Sequence, residues 1–264
     1  MNSSASAQEH QGSPDRFGYE WTNYSTILPE HKGQLERWLG STGLASMEGK
    51  RVLDVGCGMG RNPYWMLKAG ARELVAIDAD DGSLAAARRN LAEFPQARVE
   101  RCSVYDLGPE RFGEFDVITC IGVLHHLADP DDALTRMWSC VAKGGSLELW
   151  CYAKEGNELV LPLIELLRIV GSKAPISVTH GIARGVTLAA WPMLKLAPWR
   201  TDYYRRIGSL SFKNVESIVF DQMLPRIANY WTEQDMRRLV RPLGGRVAVE
   251  FVQGNSWHVK VTRE

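Results

Sequence analysis

From Arg51 onward, short apolar runs alternate with longer segments whose apolar residues recur every three or four positions. "RVLDV" (51–55), "ELVAID" (73–78), "ARVERC" (97–102), "FDVITCIGVL" (115–124) and "GGSLELWCY" (144–152) read as strands. Between them, "NPYWMLKAG" (62–70), "GSLAAARRNLAEF" (82–94) and "DPDDALTRMWSCVA" (129–142) read as helices. Gly70 closes the first, and acids open the third, where they oppose the helix dipole. Such alternation predicts a parallel sheet wound by helices on both faces. The nearly continuous apolar strands fit a sheet covered on both sides.

The rhythm breaks over residues 153–231. "ELVLPLIELLRIVG" (158–171) and "GIARGVTLAAWPMLKLAPW" (181–199) are apolar, interrupted by glycine and proline, and poor in acids. They predict helices of an insertion, with Arg184, Lys195, Arg200, Arg205 and Arg206 at their flanks. "TEQDMRRLVRPLG" (232–244) then resumes as a helix, and "RVAVEFVQG" (246–254) and "SWHVKVTR" (256–263) close as a hairpin. The expected organisation is a disordered lead over 1–16, an N-terminal lid and helix over 17–50 and a core over 51–152. A helical cap over 153–231 follows, and 232–264 completes the core.

Composition narrows the partners. The 264 residues carry 31 basic and 31 acidic side chains, a formal net charge of zero. Such a chain has no general pull on nucleic acid, and none is expected as partner. Five cysteines without a C-x-x-C pair suggest neither zinc nor a disulfide framework, and no metal is expected. A start without an apolar core and the lack of an apolar run of about 18 residues point to a cytoplasmic protein.

The chemistry sits at "DVGCGMGR" (54–61). Glycines at 56, 58 and 60 allow a tight turn and close backbone approach to a ligand. The dinucleotide pattern G-x-G-x-x-G needs glycine at 61, where Arg61 stands, and the phosphate loop's lysine is absent. Asp54 beside the turn is unfavourable for a pyrophosphate. It suits a cofactor with a cationic amino-acid end and no phosphate, S-adenosylmethionine. Asp78, closing the second strand, is placed to accept both ribose hydroxyls.

"VLDVGCGMG", "VAIDAD", "FDVITCIGVLHHLADPDDAL" and "KGGSLELWCY" resemble the successive motifs of the class I S-adenosylmethionine-dependent methyltransferases. The resemblance is dense over residues 50–152 and looser over 232–262. It implies a Rossmann-like, mostly parallel seven-stranded sheet with a reversed last strand. It implies that Asp54, Gly56, Cys57 and Gly58 hold the methionine end, that Asp78 and Ala79 hold the ribose, and that Ile121 lies by the amine. Where relatives read G-D-A at the adenine, this chain has Cys102, Ser103 and Val104. Ser103 and Val104 are the expected adenine contacts, with Asp106 as a substitute acid.

In the expected chemistry the acceptor displaces the sulfonium in line, and a hydroxyl acceptor is helped by a base. His125 and His126 follow the fourth strand and, with Tyr24, are the candidate catalytic residues; each histidine can instead hydrogen-bond local backbone. Tyr19 and Trp21 in the lid and Tyr152 past the fifth strand are candidate pocket walls. Tyr230 and Trp231 either face the pocket or anchor the cap.

The greasy insertion favours a small acceptor of apolar or lipid-like character. It also leaves open a membrane-surface contact or a homodimer interface beside a monomer. The alternative chemistry opens the sulfonium at another carbon, by aminocarboxypropyl transfer or by cyclisation releasing methylthioadenosine.

Overall fold

The computed structural model describes residues 16, 18, 21, 25–158, 160–196 and 207–264. Its centre is a seven-stranded sheet built from β1 (Arg51–Val55), β2 (Glu73–Asp78), β3 (Ala97–Arg101), β4 (Phe115–Ile121), β5 (Val141–Tyr152), β6 (Arg246–Val252) and β7 (Ser256–Thr262). The strand order is β3-β2-β1-β4-β5-β7-β6. Strands β1 to β5 pair in parallel, and β7 runs antiparallel to both β5 and β6. The last strand is therefore reversed, as the resemblance implied. β6 and β7 join through Gln253, Gly254 and Asn255, with Gln253 and Gly254 at φ of 58° and 76°.

Alternation along each strand feeds two cores. Leu53, Val55, Val75, Ile118 and Leu149 face one layer. There they meet Leu134 and Met137 of α4 (Pro130–Ser139) and Met236 and Val240 of α8 (Glu233–Val240). Val52, Leu74, Ala76, Val117 and Trp150 face the other. That layer holds Leu35 and Trp38 of α1 (Glu30–Trp38), Met66 of α2 (Arg61–Lys68) and Leu84 of α3 (Asp81–Asn90). The strands are apolar on both faces because both are covered.

Among the described residues, the insertion holds three helices: α5 (Leu161–Gly171), α6 (Ile176–Leu196) and α7 (Phe212–Met223). Ala183, Phe220, Met223 and Leu224 make a small core of their own. The fold departs from the sequence reading at three points. α6 runs unbroken through Gly181, Gly185 and Pro192, because burial of Thr179, Ala183 and Thr187 along one stripe outweighs the local propensities. α7 was not read from the sequence at all. The helix expected over 129–142 ends at Ser139, and Val141 already pairs with Phe115.

Arg16 was read as the end of a disordered lead, but it is buried. Its guanidinium donates to Gly171 O at 2.6 Å and Thr179 Oγ1 at 3.2 Å, which ties Arg16 to α5 and α6.

Candidate functional site

The sheet order reverses between β1 and β4, which opens a crevice at the carboxyl edge. The glycine turn sits at that edge. Gly56 and Cys57 both donate their N–H to Ile77 O, at 2.8 and 2.9 Å, which pins the turn on β2. Gly58 N–H donates to Asp78 Oδ2 at 2.9 Å. Gly56 and Gly58 have φ of 73° and 52°, in the left-handed region. A Cβ on Gly56 would collide with the Val123 side chain, and one on Gly58 would lie 3.0 Å from the Trp21 indole nitrogen. The turn is a cradle that side chains would fill, and Trp21 lies over it.

Asp54 is buried beneath the turn. Its register partner on β4, Thr119, donates from Oγ1 to Asp54 Oδ1 at 2.5 Å. Its Oδ2 is buried with no hydrogen-bond partner. Burial raises the carboxyl to about 7, against the opposing Thr119 bond. Asp78 lies at the tip of β2 and also accepts from Asp80 N–H through Oδ1 at 3.0 Å. Its carboxyl too is raised, by burial first, with the backbone donors pulling the other way.

A cavity of about 960 Å³ runs from this edge to the cap. Gly56, Asp78, Ala79, Ser103, Val104 and Ile121 line one end. Asp54, Cys57 and Gly58 stand behind that wall, with the Cys57 thiol buried and turned to Gly58 O. The Ser103 hydroxyl oxygen accepts Tyr105 N–H at 3.3 Å and caps the turn there. Asp106 is exposed and off the wall; the neighbouring Tyr105 takes the wall position instead. Arg61 lies between the rings of Trp21 and Trp38, at 5.4 and 5.1 Å, and lines the cavity with both.

These residues fit S-adenosylmethionine. An unpartnered buried carboxylate oxygen calls for a cation, and the cradle lets a ligand touch backbone. A second acid stands one strand over, where hydroxyls can donate to it.

The histidine pair is split by the 3₁₀ turn over Leu124–His126. His126 lines the cavity, and its Nδ1 is 2.8 Å from Ile227 O. A carbonyl only accepts, so Nδ1 carries the proton and Nε2 is the acceptor nitrogen. Burial lowers His126 to about 4, so the ring is neutral at pH 7. His125 is fully buried behind the wall, and neither ring nitrogen has a hydrogen-bond partner. Its ring packs 4.3 Å from that of Tyr152, and its carbonyl accepts Asn229 N–H at 2.8 Å. Burial pushes its imidazole well below the usual range.

Tyr152 reaches the wall at the end of β5. Its hydroxyl accepts Gln222 Nε2–H at 2.8 Å, and its ring stacks on Tyr230 at 5.4 Å. Tyr230 donates to Gln222 Oε1 at 3.1 Å and accepts from buried Arg168 at 3.2 Å. Trp231 anchors the cap through its carbonyl, which accepts Trp257 Nε1–H at 2.9 Å. The cavity face of α7 is mostly polar: Lys213, Asn214, Ser217, Asp221 and Gln222, with apolar Ile218 among them. Opposite it, α1 contributes Glu30, Gln34 and Arg37. The sequence reading missed α7, although polar Lys213, Ser217 and Asp221 recur at helical spacing among apolar neighbours. Tyr19 and Tyr24 lie outside the described residues.

A family model described as "Methyltransferase domain" matches residues 52–145. A ubiquinone biosynthesis O-methyltransferase of Dechloromonas aromatica is 32% identical over 203 residues, covering 71% of this chain and 84% of that protein. A tRNA U34 carboxymethyltransferase of Pseudomonas paraeruginosa is 36% identical over 124 residues, 46% of this chain. The chain spans only 38% of that relative's length. Among solved structures, the magnesium protoporphyrin IX methyltransferase of Synechocystis PCC 6803, with bound SAH, matches with a TM-score of 0.57. That match is at 15% identity and covers 99% of this chain and all of that one (100%). The chain belongs to the class I S-adenosylmethionine-dependent methyltransferases, and S-adenosylmethionine is its cofactor.

Proposed function

We propose that the protein transfers a methyl group from S-adenosylmethionine to a hydroxyl of a small acceptor whose reacting end is polar. The observation that carries this is the single cavity joining the glycine cradle and Asp78 to His126 and the polar face of α7. Similarity to a ubiquinone biosynthesis O-methyltransferase over most of that protein's length supports oxygen as the acceptor atom. The insertion lines the cavity with polar Lys213, Asn214, Ser217, Asp221 and Gln222 beside apolar Ile207, Leu210 and Ile218, which suits an acceptor with a polar reacting end and an apolar remainder. The zero net charge favours a small molecule over RNA.

Asp78, Ala79, Ser103, Val104 and Ile121 on the wall would hold the cofactor, which supplies a methyl on a sulfonium centre, with Asp54 behind them as the buried counter-charge to its cationic end. The chain's own work is alignment, dryness and a proton. Trp21 and the cap roof the cavity. Tyr152 and Gln222 offer hydrogen bonds to the acceptor's polar groups. His126 Nε2 accepts the acceptor's O–H. A base at about 4 cannot ionise a hydroxyl in advance. It does not need to, because that proton becomes strongly acidic as the oxygen forms its new bond. His126 therefore orients the hydroxyl and takes the proton late.

The test is mass spectrometry of the pure protein with S-adenosylmethionine, with and without small-molecule extract. S-adenosylhomocysteine formed only with extract, alongside a methylated hydroxyl compound, is the expected result. Methylthioadenosine formed without extract would overturn the reading in favour of chemistry on the cofactor itself.

A further inference from the structure

Large apolar side chains are exposed in one part of this molecule. Of the ten among the described residues, eight lie between residues 161 and 196. Leu163, Leu166, Ile169 and Val170 are on α5. Val178, Leu188, Met193 and Leu196 are on α6, recurring with exposed Gly181, Gly185 and Ala189 at helical spacing. Leu166 and Leu188 are 60% and 61% exposed. Both helices rest on α7 through their buried stripes, so these residues point away from the cavity.

The charges on this face are mainly cationic. Lys173, Arg184 and Lys195 are exposed, and none has an ion-pair partner among the described residues. Glu165 is the only acid from 161 to 196. No described helix is long and apolar enough to cross a membrane. An apolar helical face flanked by cations, in helices that do not combine the length and apolarity needed to span, has the character of a segment lying in a lipid headgroup layer.

We propose that the outward faces of α5 and α6 seat the protein on an anionic membrane surface. Charge complementarity selects this occupant over a second copy. A two-fold contact through the same face would set each set of three cations against its equivalent, with one acid per chain to offset them. An anionic leaflet offers partners to all three cations and a medium for the apolar side chains. The cavity would then lie on the far side of α7 from the lipid.

The test is co-sedimentation of the full chain with phosphatidylcholine vesicles with and without about 30% phosphatidylglycerol, in about 0.15 M salt. The expected result is binding that prefers the anionic vesicles. The pair Leu166→Ser and Ile169→Ser should weaken it about tenfold through lost apolar burial. The pair Lys173→Glu and Arg184→Glu should abolish the anionic preference. Both variants should bind S-adenosylhomocysteine like the parent, which shows them folded. Absent vesicle binding, or binding that neither pair changes, overturns the proposal. So does a dimer, seen by light scattering, that the Leu166 and Ile169 changes dissolve.

Discussion

The two ends of the cavity are built differently. At the end assigned to the cofactor, the lining comes from the tips of β1, β2, β3 and β4, and the groups expected to decide binding are backbone amides and two short acids. At the acceptor end, side chains arrive from α1, the tip of β4, the tip of β5 and α7, segments scattered over nearly two hundred positions. One end is rigid because the sheet register sets it. The other depends on a cap that must first find its place. Substitutions should therefore separate cleanly: those at the sheet edge change cofactor affinity, and those beneath the cap change turnover or acceptor affinity.

His126→Ala should break the acceptor end most severely. Loss of the proton acceptor should lower kcat about 100-fold, the low end for a base, because a ring at about 4 is a weak one. Calorimetry should find S-adenosylhomocysteine affinity unchanged. In the parent, kcat should stay flat from pH 6 to 8, since His126 protonates only near 4. An acid limb near pH 6.5 that vanishes in the variant would mean an ordinary histidine. Full turnover in the variant would make the residue structural.

Asp78→Ala should break the other end. A charge-assisted bond contributes about 1.5–3 kcal/mol, so S-adenosylhomocysteine should bind at least about tenfold more weakly. Asp78 also holds the Gly58 and Asp80 amides, so Asp78→Asn, which keeps one acceptor oxygen, should lose less. Unchanged affinity in the alanine variant would remove Asp78 from the ribose site.

Asp54 sharpens the comparison through pH. With its carboxyl near 7 in the free protein, a bound cation requires the ionised form. Cofactor affinity should then fall about tenfold per pH unit below pH 7 and level off above it, with one proton released on binding below pH 7. Asp54→Asn should remove that slope. The stability sign is opposite. The folded pKa lies above the unfolded one, so the group's contribution to stability declines as pH rises from about 4 to 7. Calorimetry in buffers of different ionisation heat checks the proton count. A pH-independent affinity would separate Asp54 from the cofactor's cation.

This difference in construction also explains what could be read in the sequence. The glycine turn, Asp54 and Asp78 were legible because their chemistry lies in contiguous residues with strict backbone demands. The doubly wound sheet followed from alternation, and its reversed last strand from the family resemblance. Burial and facing were not legible. "HH" gave two equivalent candidates, yet a 3₁₀ turn sends His126 to the wall and buries His125 behind it. The insertion's composition showed grease but not its direction, and only the fold shows Leu166 and Leu188 facing outward while Gln222 faces in. Arg61 was legible as the missing third glycine, but its place between Trp21 and Trp38 was not. That arrangement depends on Trp21 lying over the turn, a contact between residues far apart in the sequence.

Gln222→Leu should give the smallest effect and the finest distinction. Gln222 lies between two tyrosines, accepting from Tyr230 and donating to Tyr152. Leucine keeps much of the volume and removes both bonds. Each neutral bond is worth about 0.5–1.5 kcal/mol, and the Tyr230 ring stays stacked on Tyr152 and held by Arg168. The fold should survive, since neither tyrosine depends on Gln222 alone. Acceptor KM should rise about threefold to tenfold, with kcat and cofactor affinity nearly constant, because the change touches positioning and leaves His126 and the cradle intact. A fall in kcat at constant KM would instead place Gln222 in the transition state. An effect on cofactor affinity would mean that the two ends of the cavity are coupled through the cap.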